Sequence, residues 1–599
     1  MPEYQSPEHQ QPGGERRLLL VFVAAFIVIL LAQPLMKRFM PSPEPSKTPE
    51  TAQQQQPNAG TPPAPATSAA APTPTVPPAG AKLASSESET VIENDLYRIV
   101  FTNKGALVKS WLLKKYDDDK GKPQELVNDA ASKQFGYPMS LFTYDANLRQ
   151  KLNSALYVAS STGQQSAPTD LTFEYSDGDV IVRKSFHFDH SYVVHVDATV
   201  TRGGQNIPAF PAWPAGFGDQ TVATSYASSR IDYQDPSGVN RLSPDRKGQQ
   251  ISGGGTLHTP MYWAGPIAQY FAAVFIPDDP RSAALVMQRN ALEIPQNLDK
   301  PDPNKTAHVE VLGAAVGNAS GPTSERVFVG PKAVDVVESI KTTPLSPGQP
   351  SPDLGLVIDF GKWFGIIAKP LFIWLKWTQQ HWIPNWGWAI GFLTLIINLA
   401  LLPLRISSMK SSLKMQRVQP VVKNMQDRYK AKMAKADATR KRELQMEMNQ
   451  EMMKIYKEQG INPAGGCLPL VIQMPFLIAF YTMLGVTIEL RHAHWLWIKD
   501  LASTDPLHIL PILIVASTLL MQRTTPTPGM DPTQQRMMNL MMPLMLGWFA
   551  WNYAAGLSIY WLLGTVIAIV QQYITNRTSF GKEVRAAMEK RARKAADKS

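Results

Sequence analysis

Two patterns of apolar and polar residues divide the chain. From about residue 354 onward, long apolar runs without Asp, Glu, Lys or Arg alternate with basic loops. Between residues 40 and 350 the sequence is polar and punctuated by Pro and Gly, with short stretches in which apolar and polar residues alternate. The first pattern is typical of membrane-spanning helices, and the second is typical of β-strands in a folded domain.

Period-two alternation is clearest in LTFEYSDGDVIVRKSFHF, where two alternating runs flank the turn residues Asp177 and Gly178. This arrangement predicts a β-hairpin. The segment YVVHVDATV alternates again, and VIENDLYRIVFTNKGALVKSW predicts another hairpin around residues 103–105. We therefore predict a β-sandwich domain over residues 86–345.

Three histidines fall on these predicted strands. His187 and His195 would share a polar strand face with Asp189 and Asp197, whereas His190 would point away. A metal site was weighed, but a solvated sheet face accounts for the same pattern, so we predict no metal and no other cofactor.

Six apolar segments are long enough to be considered as membrane spans. The first segment, residues 18–36, would be roughly 28 Å long as a helix, which is close to the apolar thickness of a bilayer. It lacks a small-x-small cleavage site, which favours an uncleaved anchor. The last two share a charge-free run of 40 residues with a break at Trp551–Gly556. The predicted spans are residues 18–36, 386–404, 465–487, 507–523, 537–552 and 555–576.

Between these spans the sequence predicts linkers, loops and tails. Residues 37–85 are rich in Pro and Ala and predict a disordered linker. The remaining connections are a cytoplasmic N-terminus (1–17), a cytoplasmic helical hairpin (405–462), a periplasmic loop (488–506), a cytoplasmic loop (524–536) and a basic cytoplasmic tail (577–599).

Charge sets the expected orientation. The chain carries a net charge of +10; residues 405–462 hold fourteen Lys and Arg against six Asp and Glu, and residues 577–599 hold eight against three. Basic loops stay in the cytoplasm, so both termini should be cytoplasmic and residues 37–385 mainly periplasmic. The sequence thus predicts a polytopic protein of the bacterial inner membrane. Its single Cys excludes an intramolecular disulfide.

One further helix is predicted to lie along the membrane surface. Residues 354–382 carry Lys362, Lys369 and Lys376 at intervals of seven, which places the three ammonium groups in one stripe on a helix otherwise rich in Trp, Phe, Ile and Leu. A transmembrane position would bury three charges. We expect an interfacial helix whose lysines reach toward lipid headgroups.

The predicted cytoplasmic hairpin contains eight methionines. Methionine offers an adaptable apolar surface for varied hydrophobic segments, but it also fills ordinary cores between helices. The sequence leaves both interpretations open.

Polar residues interrupt the third span in GGCLPLVIQMP, residues 465–475. Prolines free backbone carbonyls, and Gln473 adds an amide beside Met474. Such groups are tolerated at membrane depth where they face a water-filled cavity or another helix. The pattern therefore suggests an open polar groove, although a hydrogen bond between Gln473 and a neighbouring helix is an alternative.

Several motifs resemble the YidC membrane protein insertase family in its Gram-negative form, with a large periplasmic domain. They run in matching order and spacing: NWGWAI, INPAGGCLPLVIQMP, ELR, LWIKDL, DPLHILPIL, DPTQQRMM and GLSIYW with QQYI. The resemblance implies a five-helix insertase core that moves hydrophobic segments of newly made proteins into the bilayer, alone or beside the Sec translocon, and assists their folding. The implied partners are nascent membrane proteins, the Sec translocon, the ribosome through the basic tail and hairpin, and membrane lipids.

The resemblance also implies client contacts at Thr394, Met474, Leu477, Tyr560 and Trp561. No covalent chemistry is expected, because no Walker motif, HExxH motif or convincing Ser–His pair is present in the sequence. The alternative function from another class is a solute transporter. It is disfavoured because the two halves show no inverted repeat.

One position departs from the family pattern. Insertases of this type generally carry an arginine four residues after the position of Thr394, where this chain has Asn398. Arg405 lies seven residues further on, on nearly the same helix face. It would either reach back toward the groove or mark the cytoplasmic boundary of the span.

Overall fold

The structure is a computed structural model that describes residues 82–244, 254–295, 305–361, 363–461, 468–524 and 532–578. It divides into two compact units, with the boundary between Ile358 and Asp359. The predicted anchor, most of the linker, the glycine pair before the third span, most of the loop 524–536 and nearly all of the basic tail lie outside the described residues.

The described part of the first unit is built mainly from β-strands. In chain order they are β1 (Glu89–Glu93), β2 (Tyr97–Thr102), β3 (Leu107–Asp117), β4 (Pro123–Glu125), β5 (Ser140–Phe142), β6 (Val158–Ala159), β7 (Gly163–Ser166), β8 (Thr169–Asp177), β9 (Val180–Phe188), β10 (Val193–Arg202), β11 (Gln205–Asn206), β12 (Phe210–Trp213), β13 (Arg230–Asp235), β14 (Gly238–Leu242), β15 (Thr256–His258), β16 (Trp263–Ile267), β17 (Phe271–Pro277), β18 (Ala283–Pro295), β19 (Thr306–Asn318) and β20 (Thr323–Pro331). Its short helices are α1 (Asp129–Phe135), α2 (Ala146–Ser154), α3 (Ala223–Tyr226) and α4 (Val334–Ser339).

The described strands of this unit form three sheets. The large sheet has the order β14-β13-β16-β17-β20-β10-β9-β8-β6, with β11 on β10, and the two five-stranded sheets are β4-β3-β2-β1-β7 and β15-β18-β19-β12-β5. Aromatic side chains fill the space between them: the rings of Phe101 and Phe186 lie 4.9 Å apart, and those of Trp111 and Trp213 lie 6.0 Å apart. The predicted β-rich character of this domain is confirmed, but the described strands form three sheets rather than the two of the predicted β-sandwich.

Both predicted hairpins are present. β8 and β9 pair from Asp177 and Val180 outward, and β2 and β3 pair from Thr102 and Leu107. In β9 buried and exposed positions alternate along the whole strand, as period-two alternation requires. His187 lies on the exposed face, 2.5 Å from a carboxylate oxygen of Asp170.

A lysine interrupts the apolar face of β9. Lys184 is fully buried, and its ammonium nitrogen donates to the backbone carbonyls of Gly105 (3.2 Å), Ala106 (2.5 Å) and Met139 (2.5 Å). Ala106 and Met139 have positive φ angles, which residues other than glycine rarely adopt, so these hydrogen bonds stabilise turns with an unfavourable backbone conformation. Burial lowers the pKa of Lys184 to about 7.

This lysine should make the stability of the β-rich unit depend on pH. An unfolded lysine keeps its proton up to a pKa near 10.5, whereas folded Lys184 loses it near 7, so the unfolded state binds more protons between these values. The free energy of unfolding should therefore rise as pH increases from 7 to about 10. Pulse proteolysis of the full-length protein in urea measures this rise, and Lys184→Met should flatten it. If the free energy of unfolding rose equally with pH in both proteins, Lys184 would not be the cause of the rise.

The described part of the second unit is helical. It contains α5 (Gly365–His381), α6 (Trp386–Ala400), α7 (Leu402–Ala434), α8 (Ala438–Glu458), α9 (Leu468–Val486), α10 (Ile509–Thr524), α11 (Pro532–Asn552) and α12 (Ala555–Arg577). By length and apolar composition, one described helix, Ala555–Thr575, could cross a bilayer, and the bent pair Trp386–Ala400 with Leu402–Ser408 would be a second. Gln473–Val486 and Ile509–Arg523 are shorter apolar helices.

The predicted span 386–404 is bent rather than straight. α6 ends at Ala400, and the chain continues as α7 after a bend of 53°. Pro403 falls in the first turn of α7, where its missing N–H is harmless, but it could not have continued α6 because its ring clashes with the preceding turn. The predicted span 386–404 therefore contains a bend near Ala400.

The predicted interfacial helix is also shorter than expected. Residues Leu354–Val357 form a single 3-10 turn within the first unit, and α5 begins only at Gly365. Gly361 has a φ of +83°, and its N–H donates to the side chain of Asp359, so a turn interrupts the helical path. Other helix ends shift by a few residues; α11, for example, begins at Pro532 rather than at residue 537.

α7 and α8 form the expected helical hairpin. Met415 and Met425 are buried in its core, and Met433, Met448 and Met452 pack against that core. Two further methionines remain outside: Met446 is 59% exposed and Met453 is 52% exposed. Packing between the two helices therefore accounts for most of the described methionines of this hairpin.

Candidate functional site

Polar side chains on α6 lie inside the helical unit. Thr394 is fully buried, and its hydroxyl donates to the carbonyl of Ile390 at 2.7 Å. Asn398 is 3% exposed, and its Nδ2 donates to the carbonyl of Thr394 at 2.8 Å. Each side chain thus bonds one turn back along its own helix, which allows a polar group in an apolar segment.

Arg405 reaches back across the bend between α6 and α7. Its Nη1 donates to the Oε1 of Gln571 on α12 at 2.7 Å and lies 3.5 Å from the Oδ1 of Asn398. Both partners are neutral amides, so within the described residues no carboxylate neutralises this half-buried guanidinium. The sequence left two roles open for Arg405, and these contacts favour the one inside the bundle.

Gln473 on α9 approaches the same region. A Cβ atom placed on Gly564 of α12 would lie 3.6 Å from the Nε2 of Gln473 and 3.9 Å from the Nδ2 of Asn398. The side chain of Gln473 also lies close to the hydroxyl of Tyr560. That hydroxyl is nevertheless buried without a hydrogen bond of ordinary geometry. The Tyr560 ring stacks on Phe480 of α9 with centroids 4.3 Å apart.

Within the residues that the structure describes, several buried polar atoms of this unit make no hydrogen bond of ordinary geometry. They include the Tyr560 hydroxyl, the Nε2 of Gln571, the hydroxyl of Thr518 and both amide atoms of Gln522. Leaving such a group unpaired in an apolar interior costs about 1–3 kcal/mol. Their concentration on α10 and α12 is typical of a surface that water or a bound polypeptide satisfies.

The remaining predicted client-contact residues lie further outward. Met474 is 41% exposed, and Leu477 and Trp561 are partly exposed. The structure therefore brings together Asn398 and Arg405 with Gln473 and Tyr560, whereas the apolar residues lie toward the outer surface.

Two residues of this region were absent from the sequence-based prediction. Gln571 binds Arg405, and the amide pair QQ in an otherwise apolar helix was its signal. Gly564 had no such signal, because a glycine in an apolar segment is common.

The lysine stripe of α5 does not act as a unit. Lys369 is exposed, and Lys362 lies outside the described residues. Lys376, however, forms an ion pair with Glu489 at 3.2 Å, with side chains only 14% and 13% exposed. The prediction that Lys376 reaches toward headgroups was wrong, because the acidic partner lies in the 3-10 turn Ile488–Leu490, which follows α9.

Comparison with known proteins covers both units. Residues 89–374 match the profile of the YidC periplasmic domain, and residues 377–582 match the 60Kd inner membrane protein family. The membrane protein insertase YidC of Ralstonia nicotianae is 31% identical over 96% of this chain and 100% of its own length. The chain belongs to the YidC family of membrane protein insertases. A second YidC, from Bordetella avium, is 30% identical over 84% of this chain and 85% of its own length.

Membership in the YidC family establishes the general function. The chain is a membrane protein insertase, which handles newly made membrane proteins and is not an enzyme. The alternative of a solute transporter is not supported. A solved structure described as an active YidC insertase is 17% identical over 83% of this chain and 94% of that chain, with a TM-score of 0.33. That overlap adds no weight to the assignment.

Proposed function

We propose that α6, α9 and α12 form a polar groove through which this insertase moves client segments from the cytoplasm into the bilayer. The proposal rests on the position of the Arg405 guanidinium, which hydrogen bonds to Gln571 and Asn398 hold inside the helical unit. A charge at membrane depth is tolerated where it faces a hydrated cavity or a polar chain. Such a groove would lower the free energy needed to move the polar flank of a client across the membrane.

The groove has a polar wall and an apolar edge. Thr394, Asn398, Gln473 and Tyr560 would hydrate the wall or bind the polar flank of a client. Met474, Leu477 and Trp561 would contact its hydrophobic segment, since they combine partial exposure with apolar surface.

Site-specific photo-crosslinking tests this assignment. A photo-reactive residue at Leu477 should crosslink to a ribosome-bound nascent client, whereas the same residue at Leu540 should not. Leu540 is a matched control because it is an exposed leucine, 59% accessible, on α11 rather than in the groove. Equal crosslinking from both positions would show that clients do not select the groove.

The arrangement in the membrane is part of the same proposal. Six spans, with the β-rich unit in the periplasm and both termini in the cytoplasm, place the basic α7–α8 hairpin on the cytoplasmic side, as the positive-inside rule requires. The apolar outer face of α5 supports an interfacial position for this helix. Ile366 is 77% exposed and Ile373 is 50% exposed, and Trp363, two residues before the helix begins, is 77% exposed.

The partners are proposed from charge and family. Nascent membrane proteins are the clients. The ribosome would bind the basic tail and the α7–α8 hairpin, lipids would bind the outer face of α5, and the Sec translocon would act beside the groove for larger clients.

Deleting the residues after Phe580 should weaken co-sedimentation with translating ribosomes at low salt by about tenfold, because a basic segment that binds RNA phosphates contributes several ion contacts. The helical unit should stay folded, which its elution in detergent would verify. The difference between the two proteins should shrink at high salt. Unchanged co-sedimentation at low salt would contradict a ribosome-binding role for the tail.

A further inference from the structure

Gly564 occupies the point where the amides of two other helices meet α12. The buried backbone of this glycine faces the Nε2 of Gln473 and the Nδ2 of Asn398, at 3.6 Å and 3.9 Å from the position that its Cβ would take. These distances are ordinary van der Waals contacts. One methyl group would therefore fit at residue 564, but a longer side chain would have to displace an amide.

Other glycines of the same unit have different surroundings. A Cβ on Gly391 would meet the Leu563 side chain at 3.0 Å, which is apolar packing between α6 and α12. A Cβ on Gly485 of α9 would have no atom within 4 Å. Among these three glycines, Gly564 alone faces polar side chains.

We propose that Gly564 is a specificity-determining residue that keeps the amides of Asn398 and Gln473 open to the polar flank of a client. This inference rests on the proposed groove. The Nδ2 of Asn398 donates one hydrogen bond to the Thr394 carbonyl. Because an amide nitrogen has two N–H groups, a second donor is left for a client. The glycine leaves room for no more than one methyl group beside these donors, so a larger side chain at residue 564 would displace or cover the amides from α6 and α9 that the polar backbone and side chains of a client would use. A client whose flank is apolar has no need of these donors.

Two clients and matched variants test the proposal in proteoliposomes of the full-length protein. One client carries a polar, uncharged flank, and the other carries an apolar flank on the same hydrophobic segment. Gly564→Leu should reduce insertion of the polar-flank client about tenfold while leaving the apolar-flank client within about twofold, a difference of one decade in rate. Gly564→Ala should insert both clients normally, because one methyl group fits at this position. Gly485→Leu is the control, since it introduces the same side chain into open space on α9.

A post-folding modification covers the case in which Gly564→Leu fails to fold. In a Cys467→Ser background, Gly564→Cys is folded first and then alkylated with reagents of increasing size. Loss of polar-flank insertion that grows with the size of the added group would support the proposal.

The remaining outcomes overturn it. Equal loss for both clients would make Gly564 a packing residue only. If Gly564→Leu inserted both clients at the wild-type rate and photo-crosslinks from Leu477 were retained, the proposed role of Gly564 would be wrong. The proposal of a groove would still stand. Absence of those crosslinks in the wild-type protein would instead remove the groove, and this inference with it.

Discussion

Replacing Arg405 with alanine is expected to reduce insertion of clients with acidic flanks about tenfold, which corresponds to ~1.4 kcal/mol of lost attraction. Clients with neutral flanks should be inserted at rates within about twofold of the wild-type rate. Gln571 and Asn398 hold the Arg405 guanidinium inside the helical unit. No carboxylate among the described residues neutralises this cation, so it can attract an acidic flank. The attraction within a charge pair near a protein surface is up to about 4 kcal/mol at 4 Å, so a tenfold change in insertion rate requires only part of that attraction.

Two further variants make this prediction specific. Arg405→Lys keeps the positive charge and should retain part of the preference for acidic clients. Asn398→Arg, added to Arg405→Ala, should restore it, because residue 398 lies in the same buried cluster. Insertion is measured by protease protection of the translocated flank in proteoliposomes that contain the purified protein.

Other outcomes would redirect the assignment. Equal impairment of acidic and neutral clients would indicate that Arg405 sets topology or stability. Wild-type activity of Arg405→Ala for both clients would mean that the groove works by hydration alone, through Thr394, Asn398 and Gln473.

Replacing Lys376 with glutamate is expected to destabilise the helical unit by about 3–5 kcal/mol. The ion pair of Lys376 with Glu489 is largely shielded from solvent, with side chains 14% and 13% exposed. Breaking a buried pair by changing one partner costs about 3–5 kcal/mol, since the other charge is left without compensation. The melting temperature in detergent should fall by several degrees, and α5 should be digested faster by protease.

The reversed pair provides the control. Lys376→Glu combined with Glu489→Lys should recover most of the lost stability, because it restores opposite charges at the same two sites. Lys369→Glu is the matched surface variant: Lys369 lies on the same helix but is exposed, so its replacement should change stability by less than about 1 kcal/mol. A double variant no more stable than Lys376→Glu alone would show that the ion pair does not hold α5 in place.

Much of the fold could be predicted from the sequence because the deciding forces are local. Period-two alternation placed both hairpins, since successive strand residues point to opposite faces and only one face is buried. Charge-free runs located the apolar helices, and the break at Trp551–Gly556 fell where α11 ends and α12 begins. The family followed from motifs such as GGCLPLVIQMP, and the comparisons confirm it.

The bounds of α5 and α6 needed more than periodicity. The lysine spacing suggested a continuous helix over residues 354–382, but a left-handed Gly361 interrupts it. Apolar composition continued past Ala400, but the direction of the chain changes there. A hydrophobicity pattern reports which face of a segment is buried, whereas a single backbone angle decides where the segment turns.

The partners of the charged and polar residues were settled only by the tertiary structure. Lys376 and Glu489 are 113 residues apart, and Arg405 and Gln571 are 166 residues apart. No local pattern encodes such pairs, because each side chain's position on its own helix is fixed by sequence while its neighbour is fixed by how the helices pack. The sequence by itself determined the family, the two hairpins, the approximate positions of the apolar helices and the polar character of the third span. Packing decided that Lys376 serves an ion pair, that Arg405 points back into the bundle, and that Gly564 faces the two amides.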